Sequence, residues 1–309
     1  MNLNLDELGD LIRRALAEDL GSGDVTSLAT IPGAAKAHAR IVAKAPVVCA
    51  GLPIAERVFR TLDADAGIKV LANDGDLVEK GRELLEIDAC ARAILAGERT
   101  ALNFLAHLSG IATLTHRFVE RLAGTNAKIR DTRKTTPGLR MLEKYAVRMG
   151  GGTNHRIGLY DAILLKENHI ALAGGVTAAL DQAHAYASSR MSPRETAAYE
   201  ASVGPRDGSA SASLPIQIEV RNEQELREAL EAGAEAVLLD NMTPEAARRC
   251  VKRARTLRRD CVVEISGGIT IENARAYAET GADFLSSGAL THSAPAVDLS
   301  LLVDTIENN

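Results

Sequence analysis

Apolar residues near the start of the chain fall at helical spacing. Leu5, Leu8, Ile12, Ala15 and Leu16 would share one face, which predicts an amphipathic opening helix. The next stretch, from Glu18 to Thr26, is polar and punctuated by glycine, and predicts a loop. Between Ala37 and Asp88 the pattern shortens to that of strands, at Ala39–Ala43, Lys69–Leu71 and Glu83–Ile87. Asp74–Gly81 lies among them and predicts a structural hairpin. Ala89 to Leu122 predicts two consecutive helices broken near Ser109-Gly110.

The rhythm then changes. Short apolar runs alternate with helical stretches at Lys128–Asp131, Ala162–Leu165, Ile216–Val220, Ala236–Leu239, Val262–Ile265 and Asp283–Ser286. The alternation predicts parallel strands joined by helical crossovers. Runs apolar on both faces suit buried parallel strands. A barrel and an open doubly wound sheet both fit, and six runs fall short of the eight of a full barrel. Residues 188–213 are rich in Ser, Ala, Pro, Gly and charge, and predict a flexible surface insertion.

Nearly every run ends in a polar residue with chemical capacity. The first leads into Arg133 and Lys134, and the second ends at Lys166. The third carries Glu219, the fourth ends at Asp240-Asn241, the fifth at Ser266-Gly267-Gly268 and the sixth at Ser287-Gly288. In α/β barrels the C-terminal ends of the strands hold the active site. Two basic, two acidic and two Gly/Ser ends together describe a site for a metal-bound phosphate ester.

Any one of Arg133, Lys134, His155, Arg156 and Lys166 reads equally well as solvated surface, and a lone His is more often a structural hydrogen-bonder. As a cluster they suit a polyanionic small molecule, because Arg forks grip carboxylates and phosphates in bidentate fashion. Glu219 and Asp240 would neutralise the lysines, hold Mg²⁺ and ribose hydroxyls, or do both. Ser266-Gly267-Gly268 precedes a helical pattern beginning at Ile271, and Ser287-Gly288 makes a second turn of the same type. Both predict phosphate-binding N–H groups, the first at a helix N-terminus.

Charge and composition sharpen this picture. The 309-residue chain carries a net charge of −5, so the cationic stretch is a local inversion, and general affinity for nucleic acid or anionic membranes is not expected. Aromatics make up 3% and Trp is absent, so the core must be aliphatic. Cys49, Cys90, Cys250 and Cys261 are widely spaced and read as reduced thiols of a cytoplasmic protein. No apolar run reaches membrane-spanning length, and the N-terminus lacks the basic segment of a secretory signal. Neither Gly-x-x-x-x-Gly-Lys-Ser/Thr nor Gly-x-Gly-x-x-Gly occurs.

Three segments carry a resemblance. They are Asp131-Thr132-Arg133-Lys134-Thr135-Thr136-Pro137-Gly138, Gly150-Gly151-Gly152-Thr153-Asn154-His155-Arg156, and Leu164-Leu165-Lys166-Glu167-Asn168-His169. Together they closely resemble the signature of the decarboxylating quinolinate phosphoribosyltransferases. The resemblance runs from Glu18-Asp19-Leu20-Gly21 to Ser293-Ala294-Pro295. It implies an incomplete parallel α/β barrel of the type II phosphoribosyltransferase kind over residues 111–291. It also implies an N-terminal α/β sandwich over 1–110, completed by 292–309.

The implied reaction converts quinolinate and phosphoribosyl pyrophosphate (PRPP) to nicotinate mononucleotide, pyrophosphate and CO₂, with Mg²⁺. The resemblance implies that Arg99, Arg133, His155 and Arg156 meet quinolinate carboxylates. Lys134 and Lys166 would meet pyrophosphate or carboxylate, and Glu219 and Asp240 the ribose and metal. Ser266, Gly267, Gly268, Ser287 and Gly288 would hold the 5′-phosphate. A homodimer is implied in which each N-terminal domain, bearing Arg99, caps the partner's barrel. Members often carry Glu-x-Glu where this chain has Gln217-Ile218-Glu219. The rival readings are a molybdenum-transport-associated paralogue, which usually lacks the Leu-Lys-Glu-Asn-His form, and a non-catalytic barrel binding protein.

Overall fold

The structure is a computed structural model that describes residues 5–190 and 214–307. The chain divides into two compact units. One comprises Leu3–His116, Tyr145–Gly151 and Ala294–Asn309, and the other mainly Arg117–Lys144 and Gly152–Ser293.

In the first unit, helix α1 (Leu5–Leu20) buries Leu8, Ile12 and Leu16, as its period predicts. The predicted loop at Glu18–Thr26 is shorter than expected. Helix α1 runs to Leu20, and α2 (Val25–Thr30) begins where the Asp24 carboxylate accepts the N–H groups of Thr26 and Ser27. A side-chain cap satisfies orphan donors and starts a helix inside a polar stretch.

An antiparallel sheet forms the centre of this unit in the order β12 (Leu299–Glu307), β1 (Lys36–Ala43), β5 (Glu83–Cys90), β3 (Gly67–Val70). Strand β1 alternates, burying Ala37, Ala39 and Ile41 while Arg40 pairs with Glu83 and Asp304 on the other face. The Asp74–Gly81 segment contains β4 (Leu77–Val78), which pairs with β2 (Val47–Val48). Asp74 accepts the N–H groups of Gly51 and Leu52 at the start of α3 (Leu52–Leu62).

The expected break at Ser109-Gly110 is absent, because α4 (Ala91–Leu122) is one helix of 32 residues. Both residues serve close packing. The Ser109 hydroxyl bonds the N–H and carbonyl of Ala50, and a Cβ on Gly110 would enter the backbone of Pro295. Glycine here permits approach between segments and does not end the helix.

The second unit contains a six-stranded, wholly parallel sheet. Its order is β6 (Lys128–Arg130), β11 (Phe284–Ser286), β10 (Val262–Ser266), β9 (Ala236–Asp240), β8 (Ile216–Val220), β7 (Ile163–Leu165). All six predicted runs are present. Strands β6 and β7 lie at opposite ends of this order, so the barrel is incomplete, and Thr153 adds an isolated parallel bridge to Arg130. The crossovers include α5 (Arg140–Met149), α6 (Glu167–Ala173), α7 (Val176–Arg190), α8 (Glu223–Glu231) and α9 (Pro244–Leu257). Two short helices follow, α10 (Ala274–Ala278) and α11 (Ala289–His292). Apart from 188–190 in α7, the predicted insertion at 188–213 lies outside the described residues.

Alternation along the parallel strands sorts their side chains. Ile218, Val237, Leu239, Val263, Ile265 and Leu285 are fully buried apolar residues. The intervening positions Glu219, Leu238, Asp240, Glu264, Ser266 and Ser286 line one cavity. The period of two therefore gives each strand an apolar face and a chemical face.

Candidate active site

The cavity lies at the C-terminal ends of the six strands and has a volume of about 460 Å³. Its lining includes Arg133, Lys134, His155, Arg156, Lys166, Glu219, Asp240, Ser266, Gly267, Gly268, Ser287 and Gly288. These are all the barrel residues singled out from the sequence. Arg99 does not line it; this residue is exposed on α4 in the other unit.

A buried ion pair shapes the cationic side. Asp131 and Lys144 are both fully buried and bonded to one another. Asp131 also accepts from the Asn154 amide and, at 2.8 Å, from the His155 N–H, while Lys144 donates to the His155 carbonyl at 2.9 Å. Burial pushes the Asp131 carboxyl up and the Lys144 ammonium down, each opposed by its partner. The pair thus ties the end of β6 and α5 to the strand-like segment at Thr153–His155. Asp161 holds the following turn by accepting the N–H groups of Ile157 and Gly158.

Arg133 and Arg156 emerge from these two segments. Arg156 is buried, and its Nη1 donates to the Ala162 carbonyl at 3.0 Å. The Nε groups of Arg133 and Arg156 are buried without a hydrogen-bond partner. Burial first, and the neighbouring Arg133 second, push the Arg156 guanidinium down from its ordinary value. Guanidinium groups keep their charge in proteins. Two adjacent cations with unused donors therefore make an anion-accepting corner.

Lys166 follows β7 and lies 3.5 Å from Glu219 on β8. Asp240 ends β9, and the Asn241 amide donates to its carboxylate at 2.7 Å. Asn241 has φ 52°, the sole non-glycine residue with positive φ among the described residues. Its N–H bonds the Ser266 carbonyl, and its side chain occupies the space a Cβ on Gly267 would need. Gly267, at φ 100°, is thus required for both its backbone and its neighbour.

The phosphate-type turns differ from expectation. Residues 271–273 form a turn, so α10 starts only at Ala274, and α10 and α11 have five and four residues. Their dipoles contribute little, and the loop N–H groups are the donors that remain. Asn273 caused the later start: its side chain accepts from the Thr270 N–H and donates to the Gly268 carbonyl. The Ser287 hydroxyl donates to the Ile269 carbonyl at 2.7 Å and ties the two turns together. Gly288 leaves room for Lys134 and His292, which a Cβ would meet at 3.0 and 2.9 Å.

Besides the Asp131–Lys144 pair, the participants not singled out from the sequence include Arg130, Glu264, Gln217 as a bridge, and His292. Glu264 is fully buried in the cavity floor and accepts from Arg130, Gln217 and Ser286. Arg130 also stacks 3.5 Å from the Phe284 ring centroid. A glutamate inside the apolar run Val262-Val263-Glu264-Ile265 was the available signal, since an unpaired acid is rarely tolerated there.

An α/β barrel with cations, two carboxylates and glycine turns at one set of strand ends defines a class, an enzyme-type fold that binds polyanionic small molecules. Comparison with known proteins narrows that class. Residues 24–109 match the family Quinolinate phosphoribosyl transferase, N-terminal domain. Residues 111–203 and 197–302 match its C-terminal domain. The chain belongs to the quinolinate phosphoribosyltransferase family.

It is 40% identical to a probable carboxylating nicotinate-nucleotide pyrophosphorylase of Bacillus subtilis (strain 168), covering 99% of this chain and 96% of that protein. It is 41% identical to the carboxylating nicotinate-nucleotide pyrophosphorylase of Mycobacterium leprae (strain TN), covering 96% and 97%. The crystal structure of NadC from Streptococcus pyogenes superposes with a TM-score of 0.85 at 38% identity, over 99% of each chain.

Proposed function

We propose that this chain is a quinolinate phosphoribosyltransferase, an enzyme that makes nicotinate mononucleotide in NAD biosynthesis. The carrying observation is the convergence of six strand ends on one cavity whose cations include two arginines with unused buried donors. Full-length similarity to enzymes named for this activity supports the same reading. The pyridine nitrogen attacks the anomeric carbon of PRPP and pyrophosphate leaves. The 2-carboxyl departs as CO₂, and its ring carbon takes a proton.

Arg133 and Arg156, with His155 beside them, receive the two carboxylates. Lys134 and Lys166 supply charge to pyrophosphate or carboxylate as the bond breaks. Glu219 and Asp240 hold the ribose hydroxyls, where acids also stabilise positive charge developing on the sugar. The backbone N–H groups around Gly267, Gly268 and Gly288 hold the 5′-phosphate.

The same two carboxylates suit Mg²⁺. No group of three or more metal-ligating His, Cys, Asp or Glu exists among the described residues, so a cation there would complete its shell with substrate oxygens and water. When bound, it would neutralise charge on the pyrophosphate. We place the enzyme in the cytoplasm. Burial pushes the Cys49 thiol up to about 12 and those of Cys250 and Cys261 to about 11, so they behave as core residues, and all four cysteines are free. No helix among the described residues is long and apolar enough to cross a membrane.

The test is pyrophosphate and CO₂ release from PRPP with quinolinate, with nicotinate, or with no acceptor. Mg²⁺-dependent turnover of quinolinate and little with nicotinate is expected. Equal rates with nicotinate, or no CO₂, would overturn the reading.

Arg99 is proposed to act in a homodimer, completing the partner's pocket. Arg99→Ala and Lys134→Ala homodimers should both be nearly inactive. A purified mixed dimer holds one intact pocket and should recover up to about half of wild-type activity. A mixed dimer as inactive as its parents would sink the shared site.

A further inference from the structure

The cavity floor contains a polar network in which Gln217 stands between a carboxylate and an imidazole. Its amide nitrogen donates to Glu264 at 3.0 Å, and its amide oxygen lies 3.2 Å from His155 Nε2. Glu264 itself lies 3.6 Å from the same nitrogen. On the other side of the ring, Nδ1 lies 2.7 Å from the Arg156 backbone N–H. A backbone N–H can only donate, so Nδ1 must carry a lone pair, and the ring proton sits on Nε2. That proton points at the Gln217 oxygen. An amide is the side chain that offers an acceptor to the ring and a donor to the carboxylate at once.

Charge around the ring agrees with this assignment. Facing it are Glu264 from β10, Arg130 from β6, the Asp131–Lys144 pair and Arg156. Glu264 balances Arg130 and Asp131 balances Lys144, which leaves Arg156 as a net positive charge beside the ring, so an uncharged imidazole is favoured over a second cation. Burial pushes His155 down, and Glu264 opposes this without reversing it. Against its burial, Arg130, with the hydrogen bonds from Gln217 and Ser286, pulls the Glu264 carboxyl down. The Arg156 N–H directed at Nδ1 leaves room for one ring proton, which makes His155 neutral.

We propose that Gln217 is a positioning residue that holds His155 neutral as its Nε2–H tautomer, which lets Nδ1 fix the backbone of Arg156 at the anion-accepting corner. The consequence for substrate binding rests on the proposed function above; the state of the ring does not. A glutamate at 217 places a second carboxylate beside Glu264 and against the His155 ring. The imidazole is more basic than a carboxyl by about two pH units, so the compensating proton goes to His155. Nδ1–H would then face the Arg156 N–H, donor against donor, and Arg156 would shift.

Nitrogen-15 NMR of the His155 ring tests this without substrate. In the wild type at neutral pH, Nδ1 should be unprotonated and Nε2 protonated. A cationic ring, or a proton on Nδ1, overturns the proposal. In Gln217→Glu the ring should be cationic at neutral pH. The acid limb of kcat/KM should move to higher pH by about one unit or more. The KM for quinolinate should rise more than kcat falls. A ring that stays neutral in the variant, or an unmoved acid limb, overturns the role of the amide. If quinolinate is not turned over by the wild type while the ring shows the expected tautomer, the functional reading fails and the network stands.

Discussion

Charged residues are used differently in the antiparallel sheet and in the barrel. On the antiparallel sheet, Arg40 meets Glu83 and Asp304, Lys69 meets Glu86, and His38 meets Asp88, each pair across neighbouring strands and partly or largely exposed. These are local pairs whose partners point at each other and at solvent. In the barrel, every strand runs the same way, so charges placed near strand ends gather at one end of the sheet. There Arg133, Arg156 and Lys134 line one cavity with no salt bridge to a carboxylate among the described residues, while Glu264 and the Asp131–Lys144 pair behind them are buried in full. Strand direction decides whether like side chains disperse over a face or assemble into a site. Surface pairs in water contribute little, whereas a buried charge without its partner is costly.

Four substitutions test that contrast. Lys144→Met should have the largest effect. It leaves Asp131 buried without its ion-pair partner, and a loss of about 3–5 kcal/mol of stability is expected by denaturant unfolding. The loops bearing Arg133 and His155 should loosen with it. A loss comparable to that of a surface pair would mean that Asp131 is protonated or rehydrated, and the buried pair would lose its structural role.

Lys134→Ala and Lys166→Ala come next. Each should keep its fold and lose roughly 10²-fold or more in kcat/KM. Near-wild-type kinetics in a folded variant would return that lysine to ordinary surface. Lys166 faces the stricter test, because Glu219 at 3.5 Å already partners it.

Arg40→Ala should have the smallest effect. It removes a cation shared by Glu83 and Asp304 on the exposed face of β1. Unchanged kcat/KM and a small shift in unfolding midpoint are expected. A drop in activity would show that the two uses of charge are coupled, and the contrast would fail.

The alternating apolar runs were enough to reveal all six barrel strands, since buried parallel strands leave a strong, short apolar signal. The polar residues at their ends pointed to a common site because parallel strands bring those ends together. The helix boundaries were less legible. Ser109-Gly110 has the composition of a break, yet lies mid-helix because Ala50 and Pro295 approach there, a contact separated by many residues. Ile271–Asn273 has a helical pattern, but the Asn273 side chain bonds the loop and delays the helix. Glu18–Thr26 has the composition of a loop, but the Asp24 cap turns its last residues into helix.

The local code of this chain thus specified periodicity, the count of parallel strands, and which residue types stand at their ends, all properties of neighbours along the backbone. Spatial packing assigned the partners. It joined Asp131 to Lys144, set Gln217 between Glu264 and His155, and left the Nε groups of Arg133 and Arg156 unpaired. Those relations depend on strand register and on burial, which change the charge state of a side chain and have no signature in its immediate sequence.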